Sequence, residues 1–295
     1  MAETCVIGDV TVGDGAQLVV IAGPCALEGV GMAVEIGELV RDCCIDLGLQ
    51  YVFKASFDKA NRTSAGSKRG PGLGDGLAQL AEVRAALGVP VVTDVHDPSQ
   101  AESVAQVVDC LQVPAFLCRQ TDLLVACGEA ALNHGRAVAV KKGQFLSPEE
   151  MAGPVGKLGA VGCHNVMLME RGTFFGYHRL VNDFIGLGDL MDLTVDGETA
   201  GPVCFDCTHS TQLPGETATT GGRPERAPML ARAAVAAGVH AVFLECHQEP
   251  SKATSDSATM LRLEEVPALL RSLAAINGVL RAETGAASSA SGLSR

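Results

Sequence analysis

Aromatic residues are scarce in this 295-residue chain, and tryptophan is absent. The chain has 9 Phe and 2 Tyr, which leaves little surface on which the bases of a nucleic acid could stack. Acidic residues outnumber basic residues by 34 to 22, and the net charge is −12. A charge of that sign argues against general binding to nucleic acid or to an acidic membrane. It leaves room for a local basic pocket.

Long apolar runs and a leader segment are also missing. The longest strongly apolar run near the start covers residues 18–22, far fewer than the ~20 residues that a membrane span needs. The first ten residues, MAETCVIGDV, contain an acid and no basic segment, which argues against a secretory signal or a transit peptide. We therefore expect a cytoplasmic protein that does not bind membranes.

Cysteine is the residue type that is unexpectedly common. There are 11 cysteines, an odd number, and most lie inside apolar runs. This favours reduced thiols in the core of a cytoplasmic protein over disulfides. Cys204 and Cys207 have CxxC spacing, but they lie in an apparent strand, where residues three apart point to opposite faces. A redox pair is therefore not expected.

Short apolar runs alternate with helical patterns along the chain. Strands are predicted at residues 18–23, 51–57, 91–96, 110–114, 137–141, 165–170, 203–208 and 241–246. They lack strict polar alternation, which is typical of strands covered on both faces. Helices are predicted at residues 31–47, 74–87, 99–107, 122–133, 147–158, 180–191, 228–237 and 264–280. Several should end at glycine, namely at Gly48, Gly88, Gly135 and Gly238.

Eight strand–helix units in regular order predict a single (β/α)8 TIM barrel of the α/β class over residues 18–281. A doubly wound sheet fits less well, because no GxGxxG follows the first strand. The segment VIGDVTVGDGAQ before that strand predicts a β-hairpin that turns at GDG and could close the bottom of the barrel, so residues 1–17 form an extension. The small, polar residues 282–295 are expected to form a disordered tail.

Basic residues concentrate where the barrel strands end, which is where barrel enzymes carry their catalytic groups. Nine of the 22 Lys and Arg residues lie at these ends or in the loop after the second strand: Lys54, Lys59, Arg62, Lys68, Arg69, Arg119, Lys141, Lys142 and Arg171. Phosphate and carboxylate oxygens need several donors once water is excluded, so the cluster predicts a pocket for a small polyanion. Salt bridges or a solvated charged rim are the alternative, above all for Lys68 and Arg69.

A second set of residues has the chemistry of metal ligands. Cys25, His209, Glu245 and Asp256 follow the first, seventh and eighth strands, which converge in a barrel. A thiolate, an imidazole and two carboxylates suit a divalent first-row metal with an open coordination position. His96 and His247 are competing ligands that spacing does not exclude. The residues alone thus support a barrel enzyme for a phosphorylated, anionic substrate, with metal assistance as an option.

Nine short sequence motifs in these segments point to a specific family. They are IAGPC (21–25), FKASFDKANRTS (53–64), RGPGL (69–73), TDVH (93–96), QVPAFLCRQTDLL (112–124), VKKGQF (140–145), ERGTFFGY (170–177), FDCTHSTQLPG (205–215) and TGGR (220–223). In this order they closely resemble the 3-deoxy-D-manno-octulosonate 8-phosphate synthases. The wider superfamily includes the first enzyme of the shikimate pathway, which joins phosphoenolpyruvate to erythrose 4-phosphate. That relative typically has a KPRTS-like word where this chain has KANRTS.

The resemblance implies a transferase that condenses phosphoenolpyruvate with D-arabinose 5-phosphate and water, for lipopolysaccharide or cell-wall sugar biosynthesis. It implies phosphoenolpyruvate binding by Lys54, Ser56, Lys59, Gln112, Ala115, Arg119, Lys141, Gln144 and Arg171. It implies arabinose 5-phosphate binding by Asn61, Arg62, Thr63 and Pro114; the family often has Ser where Thr63 stands. Lys59, Asp94 and His209 are the expected catalytic residues, and Asp94 and His209 lie where a proton relay could operate.

The resemblance also implies that Cys25, His209, Glu245 and Asp256 bind a divalent metal (Zn, Fe, Mn or Co). Family members with Asn in place of Cys25 work without metal, so this chain resembles the metal-dependent type. The metal could polarise the aldehyde or activate water. Two words depart from the family, HQEP (247–250) for HPEP and SDS (255–257) for SDG; losing the glycine after Asp256 is expected to alter that loop. The family is commonly tetrameric, so a homotetramer is expected.

Three other functions remain open from the sequence. One is the shikimate-type condensation with erythrose 4-phosphate. Another is a phosphosugar-binding relative without catalysis, although no ligand or phosphate-binding cation is missing. The third is a Schiff-base aldolase, since Lys54, Lys59 and Lys141 lie at strand ends.

Overall fold

The computed structural model describes the backbone of residues 4–60, 69–214 and 221–291, and the side chains of these residues up to 283. The strands in these ranges are β1 (Cys5–Ile7), β2 (Val10–Val12), β3 (Val19–Gly23), β4 (Gln50–Lys54), β5 (Val91–Asp94), β6 (Cys110–Val113), β7 (Ala137–Lys141), β8 (Val166–Glu170), β9 (Thr194–Val195), β10 (Glu198–Thr199), β11 (Val203–Asp206), β12 (Gln212–Leu213), β13 (Gly221–Gly222), β14 (Ala241–His247) and β15 (Leu261–Arg262). The α-helices are α1 (Val30–Leu47), α2 (Leu73–Leu87), α3 (Ala101–Ala105), α4 (Thr121–His134), α5 (Ala152–Gly159), α6 (Phe184–Met191), α7 (Ala227–Ala237) and α8 (Val266–Ser291).

Eight parallel strands form a closed barrel, which confirms the predicted fold. Strands β3, β4, β5, β6, β7, β8, β11 and β14 pair in that order, and β14 pairs back to β3. Each of the eight apolar runs predicted from the sequence overlaps one of these strands, although β4 begins one residue earlier and β14 ends one residue later than predicted. All residues of β3, β7 and β8 are buried, because helices cover the outside of the barrel and side chains fill its interior.

Alternate residues along each strand divide the core into two clusters. In β3, Val19 and Ile21 belong to the cluster inside the barrel, whereas Val20 belongs to the layer between the strands and the helices. This division follows from the two-residue period of a strand. The same geometry places Cys204 in the inner cluster and Cys207 in the outer layer, so these two buried thiols belong to different clusters.

The hairpin of β1 and β2 closes the N-terminal end of the barrel. Its residues Cys5, Ile7, Val10 and Val12 are buried in the cluster inside the barrel, as the sequence predicted. The predicted position of the turn was wrong, because Ile7 pairs with Val10 and the turn is therefore at residues 8–9 rather than at GDG. Asn165 fastens the hairpin by accepting from the Val6 N–H at 2.7 Å and donating to the Val6 carbonyl at 2.8 Å.

Four helices end at the predicted glycines. Helices α1, α2, α4 and α7 are followed by Gly48, Gly88, Gly135 and Gly238, all with positive φ, which glycine adopts without strain. Three helices are shorter than predicted. Helices α3 and α5 follow 3₁₀ turns at Pro98–Gln100 and Glu149–Met151, and α6 begins only at Phe184 because the Asp183 carboxylate accepts from the Ile185 N–H.

The last helix, α8, continues to Ser291, beyond the end predicted at residue 280. Residues 292–295, the end of the predicted tail, lie outside the described part of the chain. Among the helices described here, none combines the length and the apolar character that crossing a bilayer requires.

Candidate active site

A cavity of about 600 Å³ opens at the C-terminal ends of the barrel strands. This is the end of the barrel at which we expected the catalytic groups. Residues predicted for the site make up much of its wall: Lys54, Lys59, Asp94, Gln112, Pro114, Ala115, Lys141, Gln144, Arg171, His209 and Asp256. Asn61, Arg62 and Thr63, predicted to bind the sugar phosphate, lie outside the described residues, as does Lys68.

Three of the predicted cations do not line the cavity. Lys142 points to the opposite side of β7 from its neighbour in the chain, and its ammonium group lies 3.4 Å from Glu170. Arg69 is paired with Asp58 through two hydrogen bonds. Arg119 is exposed. The expected single cluster of nine cations is therefore divided, and Lys54, Lys59, Lys141 and Arg171 form the basic wall of the cavity.

Lys54 is buried at the base of this wall. Its ammonium group donates to Glu245 Oε1 at 2.9 Å, to Ser56 Oγ at 3.0 Å and to the Cys25 carbonyl at 3.3 Å. Burial raises the pKa of Glu245, but Lys54, His209 and Lys59 together outweigh this effect and lower the pKa below its usual value. Glu245 is therefore an ionised, buried carboxylate whose first oxygen is paired with a cation.

Ser56 joins two lysines to Asp94. Its hydroxyl oxygen accepts from Lys54 at 3.0 Å and from Lys59 at 2.8 Å, so its proton is directed to Asp94. Asp94 also accepts from the side-chain amide of Gln112. Burial raises the pKa of Asp94, but Lys54, Lys59 and their neighbours His96 and Lys141 together outweigh this effect and hold the pKa well below its usual range. Asp94 is thus an ionised anchor for Ser56, Lys59 and Gln112.

Asp206, at the end of β11, contacts both Lys141 and His209. The Lys141 ammonium lies 2.6 Å from Asp206 Oδ2, and His209 Nδ1 lies 2.7 Å from the same oxygen. Lys141 also lies over the ring of Phe243, 4.1 Å from its centroid. These contacts fix the positions of a cation and an imidazole that face the same cavity.

Arg171 presents one free edge to the cavity. Its Nη2 donates to Gln212 Oε1 at 2.6 Å. Its Nη1 is buried and has no hydrogen-bond partner among the described residues. Burial lowers the pKa of Arg171, yet guanidinium groups stay charged in proteins. Because Gln212 fixes one edge of the fork, the other is directed toward an anionic ligand.

The four predicted metal ligands come together at the side of this cavity. Ligand atoms of Cys25, Glu245 and Asp256 all lie within 4.8 Å of one another, and Cys25 Sγ is 3.0 Å from Asp256 Oδ2. His209 Nε2 lies 3.9 Å from both Glu245 Oε2 and Asp256 Oδ2. The segments after β3 and β11 thus supply the thiol and the imidazole, and β14 and the loop after it supply the two carboxylates.

This arrangement fits a divalent cation. Oε2 of Glu245 is buried and has no hydrogen-bond partner in the described part of the chain. Burial, together with the charges of Asp256 and Glu245, raises the pKa of the Cys25 thiol well above its usual value. A cation between the carboxylates and the sulfur would remove that penalty, since thiols bind metals as thiolates.

The two competing histidines lie elsewhere. His96 lines the cavity with its ring edge against Phe57. His247 is buried, accepts from the Glu249 N–H at Nδ1, and has its Nε2 3.9 Å from Glu28. In the described part of the chain neither ring is paired with Glu245 or Asp256, whereas His209 Nε2 lies 3.9 Å from both.

The substitution in the loop motif SDS (255–257) leaves the proposed metal ligand Asp256 in place. Asp256 itself has a positive φ of 49°, whereas Ser257 is not among the residues with positive φ. A glycine is therefore not required at position 257, and the expected change in the backbone of this loop has no steric cause there.

Sequence reasoning missed two residues of this site. Neither Asp206 nor Gln212 was singled out from the sequence. An acid three residues before a histidine at a strand end is a signal that could have pointed to Asp206. The contact of Gln212 with Arg171 joins loops after two different strands, and no local pattern signals it.

Comparisons with known proteins agree with this site. The model described as the DAHP synthetase I family matches residues 2–278. The 2-dehydro-3-deoxyphosphooctonate aldolase of Citrifermentans bemidjiense is 46% identical over 281 residues, 95% of this chain and 99% of that protein. Proteins of the same name from a Synechococcus species and from Nitratidesulfovibrio vulgaris are 46% and 50% identical, over 95% and 88% of this chain and 96% and 92% of their own lengths. The chain therefore belongs to the DAHP synthetase I family.

Proposed function

We propose that this family member condenses phosphoenolpyruvate with D-arabinose 5-phosphate and water, giving 3-deoxy-D-manno-octulosonate 8-phosphate and inorganic phosphate. The observation that carries this function is the basic wall of Lys59, Lys141 and Arg171 in a chain 46–50% identical to aldolases named for 2-dehydro-3-deoxyphosphooctonate. The product class serves lipopolysaccharide biosynthesis. Phosphorylated substrates of this kind support the cytoplasmic location expected from the sequence.

The basic wall offsets the repulsion between the two substrates. Phosphoenolpyruvate carries a phosphate and a carboxylate, and the sugar brings a second phosphate. Lys59, Lys141 and Arg171 face this charge from three sides of one cavity. In a site that excludes water, such preorganised cations stabilise the close approach of two anions and the charge that develops during the reaction.

Buried acceptors between these cations fit a hydroxylated substrate. Oε1 of Gln112 and Oε1 of Gln144 are buried, and neither has a hydrogen-bond partner among the described residues. For Gln112 this orientation is fixed, because its amide group donates to Asp94. A carbonyl oxygen repels an anion and accepts from a hydroxyl group. These atoms therefore support a ligand with sugar hydroxyls, or the water that takes part in the reaction.

The chemistry proceeds by one bond formation at each end of the enol. C3 of phosphoenolpyruvate attacks the aldehyde carbon of the sugar, and water adds at C2. The resulting hemiketal phosphate then breaks its C2–O bond and releases inorganic phosphate. Lys59, Lys141 and Arg171 hold the anionic oxygens, and Asp94, which stays ionised, holds Lys59 and Gln112 in position.

We infer that Cys25, His209, Glu245 and Asp256 bind a divalent metal. Such an ion supplies Lewis acidity that polarises a carbonyl or lowers the pKa of a bound water. His209 uses Nδ1 for Asp206, so only Nε2 remains for a metal or for a proton. If His209 binds the metal through Nε2, it is not the general base. Its contribution is then to hold the metal in position.

A two-sugar assay tests the function. Purified protein is incubated with phosphoenolpyruvate and either arabinose 5-phosphate or erythrose 4-phosphate, with and without chelator, and phosphate release is followed. We expect release with the five-carbon sugar only. Release with only the four-carbon sugar would identify the shikimate-type condensation instead. Trapping of a substrate adduct on Lys54, Lys59 or Lys141 by borohydride would indicate a Schiff-base aldolase.

We further propose that the chain assembles into a homotetramer. Large apolar side chains are exposed in the segment after β8, among them Phe175 at 98% and Tyr177 at 91%. Exposed aromatic residues of this kind are typical of interfaces between proteins. Light scattering should give the mass of four chains. Replacing both rings by serine should shift the protein to smaller species, and a monomeric wild-type protein would refute the assembly.

A further inference from the structure

The loop that carries Asp256 has a strained backbone at the ligand itself. The φ of Asp256 is 49°, a left-handed value that side-chain-bearing residues adopt rarely. Its carbonyl accepts from the Thr259 N–H at 2.9 Å and from the Met260 N–H at 3.3 Å. Such a conformation persists only where the surroundings hold it, so contacts that fasten this loop bear directly on the position of the Asp256 carboxylate.

Glu28 provides such a contact from the segment that carries Cys25. Its Oε1 accepts from the Thr254 N–H at 2.9 Å, two residues before Asp256. Glu28 itself lies three residues after Cys25. A single carboxylate therefore joins the segment that carries the thiol ligand to the loop that carries the carboxylate ligand, whose atoms lie 3.0 Å apart.

His247, at the end of β14, lies next to the Glu28 carboxylate. Its Nδ1 accepts from the Glu249 N–H at 2.9 Å, so in the neutral ring the proton is on Nε2. That nitrogen is buried, has no hydrogen-bond partner among the described residues, and lies 3.9 Å from Glu28 Oε1. The side chain of Glu28 is 21% exposed, which partly shields its bond to the loop from water.

A second tie comes from the residue that departs from the family word HPEP. Gln248 donates from Nε2 to Glu35 Oε2 on α1 at 3.1 Å, a bond that proline could not make. The start of the loop is thus fastened to α1, and its later part is fastened to Glu28. Both ties lie outside the set of metal ligands.

We propose that Glu28 is a positioning residue that holds the loop of Asp256 against the segment of Cys25 and thereby sets the affinity of the cluster for a divalent metal. The inference rests on the proposed metal site. Neither Glu28 nor Gln248 touches the cavity that receives the substrates, so their effect reaches the reaction only through the ligands. Residues that orient metal ligands from outside in this way typically change affinity 10–100-fold.

Cobalt binding to the metal-free protein tests the proposal without an activity assay. Co²⁺ is titrated into wild type, Glu28→Ala, Glu28→Gln and Glu38→Ala, and the thiolate-to-cobalt absorption band reports ligation by Cys25. Glu38 is the matched control, an exposed acid on α1. We expect Glu28→Ala to weaken binding about 10–100-fold and Glu38→Ala to match wild type. Glu28→Gln should stay near wild type, because its amide oxygen can still accept from Thr254.

The outcomes separate this inference from the metal site on which it rests. Absence of the band in wild type overturns the metal site and the inference together. If wild type and folded Glu28→Ala bind cobalt with the same affinity, the inference alone is overturned. The same holds if Glu28→Gln and Glu28→Ala lose cobalt affinity equally. Should Glu28→Ala fail to fold, Glu28→Asp takes its place, because its shorter side chain no longer reaches the Thr254 N–H, and an unchanged cobalt affinity there overturns the proposal.

Discussion

Asp206 determines which nitrogen of His209 faces the metal cluster. His209 Nδ1 lies 2.7 Å from Asp206 Oδ2. Burial raises the pKa of Asp206, but its contacts with His209, Lys141 and Arg171 together outweigh this effect and hold the pKa well below its usual range. An ionised carboxylate only accepts hydrogen bonds, so Nδ1 carries the ring proton. The other nitrogen, Nε2, is left with its lone pair directed toward Glu245 and Asp256.

Asp206→Asn should therefore impair the site without unfolding the barrel. An amide can donate to Nδ1, which favours the tautomer whose Nε2 carries the proton and cannot bind a metal. We expect kcat to fall about 10–100-fold, with a matching loss of metal affinity. The exposed Asp42→Asn is the control. Equal kcat values for wild type and Asp206→Asn would show that the pair does not orient the ring.

The contact between Gln212 and Arg171 leads to a second prediction. Gln212→Ala removes the acceptor that fixes Nη2 of the arginine, so the free edge is no longer held toward the cavity. A hydrogen bond to a charged group contributes about 1.5–3 kcal/mol, which corresponds to at least a tenfold rise in KM for phosphoenolpyruvate. Steady-state kinetics with each substrate varied in turn measure it. A rise confined to the KM of the sugar would contradict this assignment.

The barrel could be predicted from the sequence because each buried parallel strand appears as a short apolar run followed by a helical pattern. Two details escaped it for physical reasons. The hairpin could turn at residues 8–9 or at 13–15, since both carry Gly–Asp words, and only the pairing of Ile7 with Val10 decides between them. The apolar pattern before α6 continues across Asp183, whose carboxylate caps the helix at that point.

The candidate site was predicted less evenly. Strand ends identified Lys54, Lys59, Lys141 and Arg171, since every barrel strand delivers its last residues to the same cavity. Lys142 was grouped with them, although the two-residue period of β7 turns it to the other side. Asp206 and Gln212 were missed because their roles depend on distances between loops that sequence spacing does not contain.

Removal of metal gives a third prediction. A chelator should abolish condensation in wild type, and added divalent metal should restore it. Cys25→Asn should lose this sensitivity, because it removes the sulfur ligand and places there the residue found in metal-free members of the family. Phosphate release is measured against metal content for both proteins. Full activity of metal-depleted wild type would show that the role of Cys25 is structural.

The hairpin that closes the barrel gives a prediction about stability alone. Ile7 is fully buried, whereas its neighbour Val6 is 44% exposed on the other face of the same strand. Ile7→Ala should lower the free energy of unfolding by about 2–5 kcal/mol, and Val6→Ala should have a small effect. Urea denaturation measures both. The kinetic constants should be kept, since the hairpin lies at the opposite end of the barrel, and a loss of kcat in folded Ile7→Ala would contradict that separation.

The last prediction concerns acid stability and Asp94. The pKa of Asp94 is lower in the folded protein than in the unfolded chain, because Lys54, Lys59, His96 and Lys141 together outweigh the effect of burial. Its contribution is therefore fully present above about pH 4, the unfolded pKa, and is lost as pH falls below that value. Asp94→Asn also leaves both lysines with less compensation, so it should be less stable than wild type at pH 7 by about 3 kcal/mol.

The difference in free energy of unfolding between wild type and Asp94→Asn should then decrease as the pH falls. Wild type loses the stabilising contribution of the Asp94 carboxylate, which the variant lacks at every pH. Unfolding free energies from urea titrations between pH 7 and pH 3 measure this gap. Asp42→Asn, an exposed acid on α1, should run parallel to wild type over the whole range. A gap for Asp94→Asn that stays constant with pH would show that Asp94 is not the ionised anchor of Ser56, Lys59 and Gln112.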